Sequence, residues 1–266
     1  MSYTIFNPPE HLSKLVRYYW FLDYQAETDQ DILKIFADPY PRIIFQHNNG
    51  NSCIKKAEGV LSNSFLAGIT TVPYECTIGS CEVTGVSLYP HAMKILFGTD
   101  AHELRDDLVE LLNFAPGKLT ERILESNNKS QRIEILNEFL TIELNRRELA
   151  VDPLIYGALE WMEVPENTCR IDYYYRYFKM SERHLERQFR NFIGVSPKKL
   201  LRIKRFEKSM LMLASPEIPF TEIAYHLNFS DQSHFIKDFN DLSGLTPGLF
   251  RKQKIITSES NSIVTT

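Results

Sequence analysis

The C-terminal third of this chain repeats itself, and that repeat restricts the fold more than any other feature of the sequence. At an offset of 50, His184 meets His234, Leu185 meets Phe235, Phe189 meets Phe239, Gly194 meets Gly244, Ser196 meets Thr246 and Pro197 meets Pro247. Upstream the better offset is 49, pairing Ile171 with Phe220, Tyr174 with Ile223, Phe178 with Leu227 and Met180 with Phe229. The change means that the second turn is one residue longer.

Each copy has the same plan. A short helix with apolar residues at i, i+3 and i+7 leads into a tight turn. A helix N-cap follows, Ser181 in the first copy and Ser230 or Asp231 in the second. The next helix is apolar at Leu185, Phe189 and Phe192, or at Phe235, Phe239 and Leu242, with Ile236 as an exception. Its other face is polar: Arg183, Glu186, Arg187 and Arg190, or Gln232, Ser233, Lys237 and Asn240. Helix, turn and polar-faced second helix are the parts of a helix-turn-helix reader of DNA. A helical repeat with plain solvated faces is the bland alternative.

Pro197 to Ala214 runs between the copies without an internal Gly or Pro, and Leu200, Ile203, Phe206, Met210 and Leu213 recur at helical spacing. Eighteen residues make a helix of roughly 27 Å. One turn of B-DNA is about 34 Å. A strut of that length sets two reading helices into successive major grooves on one face of a duplex.

Charge agrees. The net charge of −4 divides unevenly, with 16 Lys+Arg against 9 Asp+Glu between Thr168 and Ile256 and 14 against 25 elsewhere. The repeat region attracts a polyanion that the remainder repels.

The first ninety residues predict strands over Leu15–Tyr24, Asp31–Ala37, Arg42–His47, Phe65–Ile69 and Val83–Tyr89. Turn residues separate them at Asp38–Pro41, Asn48–Asn51 and Gly79–Ser80. Many short strands with such breaks suggest a barrel or a sandwich. From Pro90 the pattern turns helical: Pro90–Phe97 ended by Gly98, then Ala101–Asn113, Lys118–Ser126 and Ser130–Arg147. In the last helix Ile133, Leu136, Phe139 and Leu140 share a face, while Ile135, Ile142 and Leu144 lie off it. The extra apolar surface is expected to be buried in its own domain, with a dimer contact as the alternative. The fold class is therefore α+β. A β-rich domain with C-terminal helices covers residues 1–150, a connecting helix 151–164, an all-α DNA-binding domain 165–256 and a disordered tail 257–266.

Nothing argues for catalysis. No nucleophile elbow, P-loop or dinucleotide fingerprint is present. The histidines are His11, His47, His91, His102, His184, His226 and His234, no two of them two apart, so no metal site and no cofactor are expected. Cys53, Cys76, Cys81 and Cys169 contain no CxxC pair; Cys76 and Cys81 could meet across a turn as a redox pair, against the plainer reading of buried residues. No signal peptide and no run long enough to span a bilayer is found, which leads to the expectation of a soluble, cytoplasmic protein.

The stretch IAYHLNFSDQSHFIKDFNDLSGLTPGLFR, Ile223 to Arg251, closely resembles the signature of the AraC/XylS regulators, and SERHLERQFRNFIGVSPKKL, Ser181 to Leu200, is similar to that family's first helix-turn-helix. The resemblance covers about a third of the chain. PYPRIIFQ, FLAG and GVSLYPHA look loosely like the N-terminal domains of one subclass. The resemblance implies a two-unit DNA-binding domain with a linker helix, promoter binding, activation through RNA polymerase, and an N-terminal domain that senses a small-molecule effector or forms a homodimer. A ligand-free interaction module is the alternative for that domain, and an enzyme fused to a reader is a third reading. Two departures stand out. Tyr175, within the aromatic run Tyr173, Tyr174, Tyr175 and Tyr177, replaces a small residue like Ala224 and should push the helices of the first unit apart. The turn position usually held by Gly is Lys179 in one copy and Asn228 in the other, and Asn tolerates positive φ better.

Roles on DNA follow from side-chain chemistry. Arg183 and Arg187, at i, i+4, suit guanine, and Glu186 can accept from cytosine. Gln232 suits adenine, Ser233 a base or phosphate, and Lys237 follows one turn later. Arg190, Lys198, Lys199 and Arg251 are expected on phosphates. His184 and His234 beside the reading faces are structural or phosphate donors, and Ser181, Glu182 and Asp231 at the helix starts complete the expected DNA site.

Overall fold

The structure is a computed structural model that describes residues 2–28, 31–47, 52–56, 59–115, 117–147, 152–164, 176, 181–252, 255–257 and 262–265. Strands β1 (Ser2–Phe6), β2 (Val16–Tyr24), β3 (Asp31–Ile35), β4 (Arg42–His47), β5 (Ile54–Lys56), β6 (Gly59–Val60), β7 (Ser64–Ala67), β8 (Tyr74–Ile78) and β9 (Cys81–Leu88) lead into helix α1 (Ala92–Phe97). Strand β10 (Leu108–Glu110) and helices α2 (Gly117–Glu125) and α3 (Lys129–Arg147) close the N-terminal part. Helices α4 (Pro153–Glu163), α5 (Glu182–Phe192), α6 (Pro197–Leu213), α7 (Phe220–His226), α8 (Gln232–Ser243) and α9 (Pro247–Lys252) follow, then strands β11 (Ile255–Thr257) and β12 (Ser262–Thr265).

The strands form two antiparallel sheets, ordered β1-β2-β9-β4-β7-β10 and β11-β12-β3-β8-β5-β6. They face each other without closing into a barrel. Alternation along β2 explains the layering. Tyr18, Trp20 and Tyr24 point into an apolar layer shared with Leu33, Ile54, Cys76 and Ile78 of the second sheet. Tyr19 points the other way, into a core with Ile43, Phe45, Leu66 and Val86 that α1, α2 and α3 cover. Trp20 lies flat on Gly85, where an added Cβ would fall 2.0 Å from the indole ring. Between the sheets is a cavity of about 100 Å³, lined by Trp20, Ile44 and Phe65 from one sheet and Leu33, Tyr74 and Ile78 from the other. Asp38, Tyr40 and Arg42 also reach it.

The expected strands on β2, β3, β4, β7 and β9 are present, and Gly98 ends α1 in the left-handed conformation at φ 71°. Two expectations are corrected. Ala101–Asn113 is not a helix: it divides into short 3-10 turns around β10, whose Val109 pairs with Leu66 of β7. An edge of the first sheet lies open there, and three residues in extended form satisfy it. The tail is not wholly disordered. Strand β12 pairs with β3, Val264 opposite Leu33, because a run of β-branched residues completes a ladder that β3 leaves open. The turn expected at Asn48–Asn51 lies outside the described residues. On α3, Ile135 is buried with Leu136, Phe139 and Leu140, while Ile142 is 55% exposed.

A third core gathers the C-terminal helices, with Ile155, Ala158 and Met162 of α4, Leu185 and Phe189 of α5, Phe206 of α6, and Phe235 and Phe239 of α8. Phe36, Ala37 and Ile69 of the N-terminal part belong to this same core. Phe36 stacks edge-on to Phe206 at 6.3 Å, and the Ala37 amide donates to the Leu242 carbonyl at 2.9 Å. Tyr40 lies beneath the Arg17 guanidinium, 3.3 Å from its ring centre, and its hydroxyl accepts from Lys204 of α6 at 3.3 Å. Lys204 in turn pairs with Glu163 of α4. Burial pushes the Glu207 carboxyl on α6 up to about 7, against the pull of Lys204.

Candidate nucleic-acid interface

The two polar-faced helices start alike. Ser181 accepts from the His184 amide at 3.3 Å, and Asp231 accepts from the His234 amide at 2.8 Å. Of the two cap residues expected in the second copy, Asp231 is the one used, and that backbone bond holds its carboxyl below the usual carboxylate range. Leu185 and Phe189, like Phe235 and Phe239, are essentially fully buried at i, i+4. That burial fixes which face is left over. On α5 the exposed residues are Glu182, Arg183, Glu186, Arg187 and Arg190; on α8 they are Ser233, His234, Lys237, Asn240 and Asp241, with Gln232 half-buried.

Turns set the angle between helices. Asn228, between α7 and α8, has φ 55°, the left-handed conformation expected for that turn. Gly194 after α5 has φ 93°, and an added Cβ would stand 2.8 Å from the Ala101 carbonyl oxygen. The first unit thus lies directly against the N-terminal part, and Gln188 donates to Asp152 at 3.0 Å on a neighbouring side. Residues 171–180, where the sequence predicts the other helix of the first unit, lie outside the described residues except for the exposed Arg176. Tyr173, Tyr174, Tyr175, Tyr177 and Lys179 are therefore not placed.

The linker is Pro197–Leu213, begun by Pro197 and capped by Ser196 onto the Lys199 amide at 3.2 Å. It holds the second reading helix through a charge clamp absent from the sequence expectations. Arg202 donates to Asp238 at 2.5 Å and to Asp241 at 2.9 Å, and Arg205 reaches Asp238 at 3.5 Å. The signal was there: two arginines at i, i+3 on one helix face two aspartates at i, i+3 on another.

The expected DNA residues divide. Arg183, Glu186, Arg187, Arg190, Lys198, Ser233 and Lys237 stand exposed and available. Lys199 is half-buried, and desolvation followed by the nearby Arg202 lowers its pKa. The Arg251 guanidinium donates to the carbonyls of Ser215 and Ile218 and stacks on Phe220 at 4.5 Å. It ties α9 to the α6–α7 turn. His234 packs edge-on to Phe229 at 5.2 Å and its Nδ1 contacts Ser230 at 3.0 Å; His184 Nδ1 sits 3.4 Å from Arg187. Among the described residues no group of His, Cys, Asp or Glu could hold a metal ion, and no helix is long and apolar enough to cross a membrane.

Two capped, polar-faced helices on one linker define the class: a helix-turn-helix domain of the kind that transcriptional regulators carry. A helix-turn-helix domain family matches residues 174–253, and a domain family of unknown function (DUF6597) matches residues 4–110. The transcriptional regulator MtrA of Neisseria gonorrhoeae is 29% identical over 92 residues, 35% of this chain and 31% of MtrA. The transcriptional activator RhaS of Escherichia coli O157:H7 is 40% identical over 58 residues, 22% of this chain and 21% of RhaS. A structure of ToxT from Vibrio cholerae shares the fold at TM-score 0.50 and 12% identity, over 88% of this chain and 98% of that one. Residues 174–253 are thus a helix-turn-helix domain similar to those of the AraC/XylS regulators. The matched region spans about a third or less of MtrA and RhaS.

Proposed function

We propose that this chain is a sequence-specific transcription activator whose two reading helices enter successive major grooves of double-stranded DNA. The observation that carries this reading is the row of exposed Arg183, Arg187 and Arg190 on a helix whose other face is locked in the core. In the first unit Arg183 and Arg187 read guanine and Glu186 accepts from cytosine. In the second, Gln232 and Ser233 contact bases from the first turn of α8, and Lys237 follows. Arg190, Lys198 and the half-buried Lys199 take phosphates, Ser181 and Asp231 present their helix starts to the backbone, and Glu182, His184 and His234 border the contact. Arg251 is reassigned to internal support on the strength of its bonds to Ser215 and Ile218.

The N-terminal domain, residues 1–150, is the sensor. Its cavity is apolar, and the segment that borders it also grips the reading domain. Asp38, Tyr40 and Arg42 face the cavity, while Phe36, Ala37 and Tyr40 touch α6 and α8. A small effector with an apolar body, seated there, has a direct route to the linker helix. A ligand-free interaction module would leave this cavity unexplained. Contact with RNA polymerase and a homodimer through the N-terminal domain complete the proposal.

Selection of binding sites from a random DNA library, followed by affinity against salt, tests it. Two enriched blocks about one helical turn apart are expected. Absence of any enriched sequence, with and without cell extract as a source of effector, would overturn the reading.

A further inference from the structure

Three cysteines of the N-terminal part are free and buried in one apolar layer, as the plainer sequence reading expects. Cys76 lies on β8 and lines the cavity. Cys53 stands just before β5 in the second sheet, its carbonyl accepting from the Gly79 amide at 2.9 Å. Cys81 opens β9 in the first sheet, opposite Tyr24 of β2. The Gly79–Ser80 turn carries the chain from one sheet to the other, so Cys81 stands two residues beyond the amide that Cys53 binds, and both side chains are buried in the same apolar layer. In its thiol form Cys53 also donates to Gln46 Oε1 at 3.4 Å.

We propose that Cys53 and Cys81 are a redox-active dithiol that closes into a disulfide joining the two sheets beside the cavity. The proposal stands independently of the sensor reading. The surroundings of the two thiols divide their roles. The Cys81 S–H lowers the Cys53 thiol below its ordinary value, while the same contact and burial push Cys81 well above its own. Cys53 is thus the attacking sulfur and Cys81 the resolving one. With a peroxide as oxidant, the Cys53 thiolate attacks the O–O bond, forms a sulfenic acid and releases hydroxide, which takes up the proton lost from Cys53 and leaves as water. The Cys81 sulfur then attacks the sulfenic sulfur; an S–S bond forms, the S–O bond breaks, and the hydroxyl leaves with the Cys81 proton as a second water. Two electrons pass from the thiols to the peroxide.

The test is peptide mapping of the full chain by mass spectrometry after hydrogen peroxide treatment, with free thiols blocked after unfolding and no reductant present. The expected product is a Cys53–Cys81 cross-linked peptide that dithiothreitol removes and that Cys76→Ser leaves intact. In Cys81→Ser the cross-link should vanish and dimedone should label Cys53. Recovery of both Cys53 and Cys81 as free thiols, at peroxide doses that oxidise methionines of the same sample, would overturn the proposal. So would a cross-link that runs through Cys76 or Cys169 instead.

Discussion

The two polar-faced helices share a scaffold and differ in what is mounted on it. Both reading helices bury a Leu or Phe and a Phe at i, i+4, and both start on a side-chain cap. The first displays three exposed arginines, rests on the N-terminal part at Gly194 and binds Asp152 at the start of α4 through Gln188. The second displays mostly neutral polar groups, and α6 holds it through Arg202, Arg205, Asp238 and Asp241. The basic balance of the C-terminal half is therefore split between uses. Some of its cations face outward, and others serve as internal ties. Net charge alone cannot tell these apart; only the complementary acid at matching spacing does.

The largest effects should show that the scaffolds match. Phe189→Ala and Phe239→Ala each empty a fully buried site and should each cost about 3–5 kcal/mol in denaturant unfolding. A much smaller loss at one position would break the parallel. Next comes the clamp, present in the second unit. Arg202→Ala leaves the buried Asp238 with the longer Arg205 contact alone and should cost about 1.5–3 kcal/mol, read by thermal or denaturant unfolding. Binding to DNA should then weaken chiefly through the block read by α8.

Reading chemistry gives the next contrast. Arg187→Ala should cost about 1–3 kcal/mol in binding and relax one base position, whereas Lys198→Ala should weaken all sequences alike and reduce the salt slope by about 1. Unchanged base preference in Arg187→Ala, measured by site selection, would remove the first helix from the base readers.

The smallest effect concerns pH. Burial raises Glu207 from an ordinary carboxyl value to about 7, so the folded state holds its proton more tightly than the unfolded chain does. Folding therefore loses stability as pH rises from the unfolded carboxyl range through about 7. Glu207→Gln should flatten that loss between acidic and mildly alkaline pH, as followed by unfolding midpoints. An unchanged pH profile would show that Glu207 ionises without cost beside Lys204 and Arg17.

Much of this arrangement was legible in the chain. The repeat specified the reading helices, their buried stripes and the linker, because helical periodicity depends on neighbours close in sequence. Asn228 announced its own turn through its tolerance of positive φ. The expectations failed where distant partners decide. Leu108–Glu110 is a strand because β7 has an open edge, and Ser262–Thr265 is one because β3 has another. Arg251, expected on a phosphate, gives its guanidinium to the carbonyls of Ser215 and Ile218, partners that its own neighbours in sequence do not announce. The burial of Cys76 and Cys81 follows the plainer sequence reading, whereas the placing of Cys53 beside the Gly79–Ser80 turn depends on the meeting of two strands distant in sequence.

Repeating the binding-site selection with Arg187→Ala and with Gln232→Ala, beside the unaltered chain, tests the central claim most directly. Two units that read separately predict that each substitution degrades its own block and spares the other, with the blocks still about one helical turn apart. Loss of both blocks together, or of neither, would contradict the account.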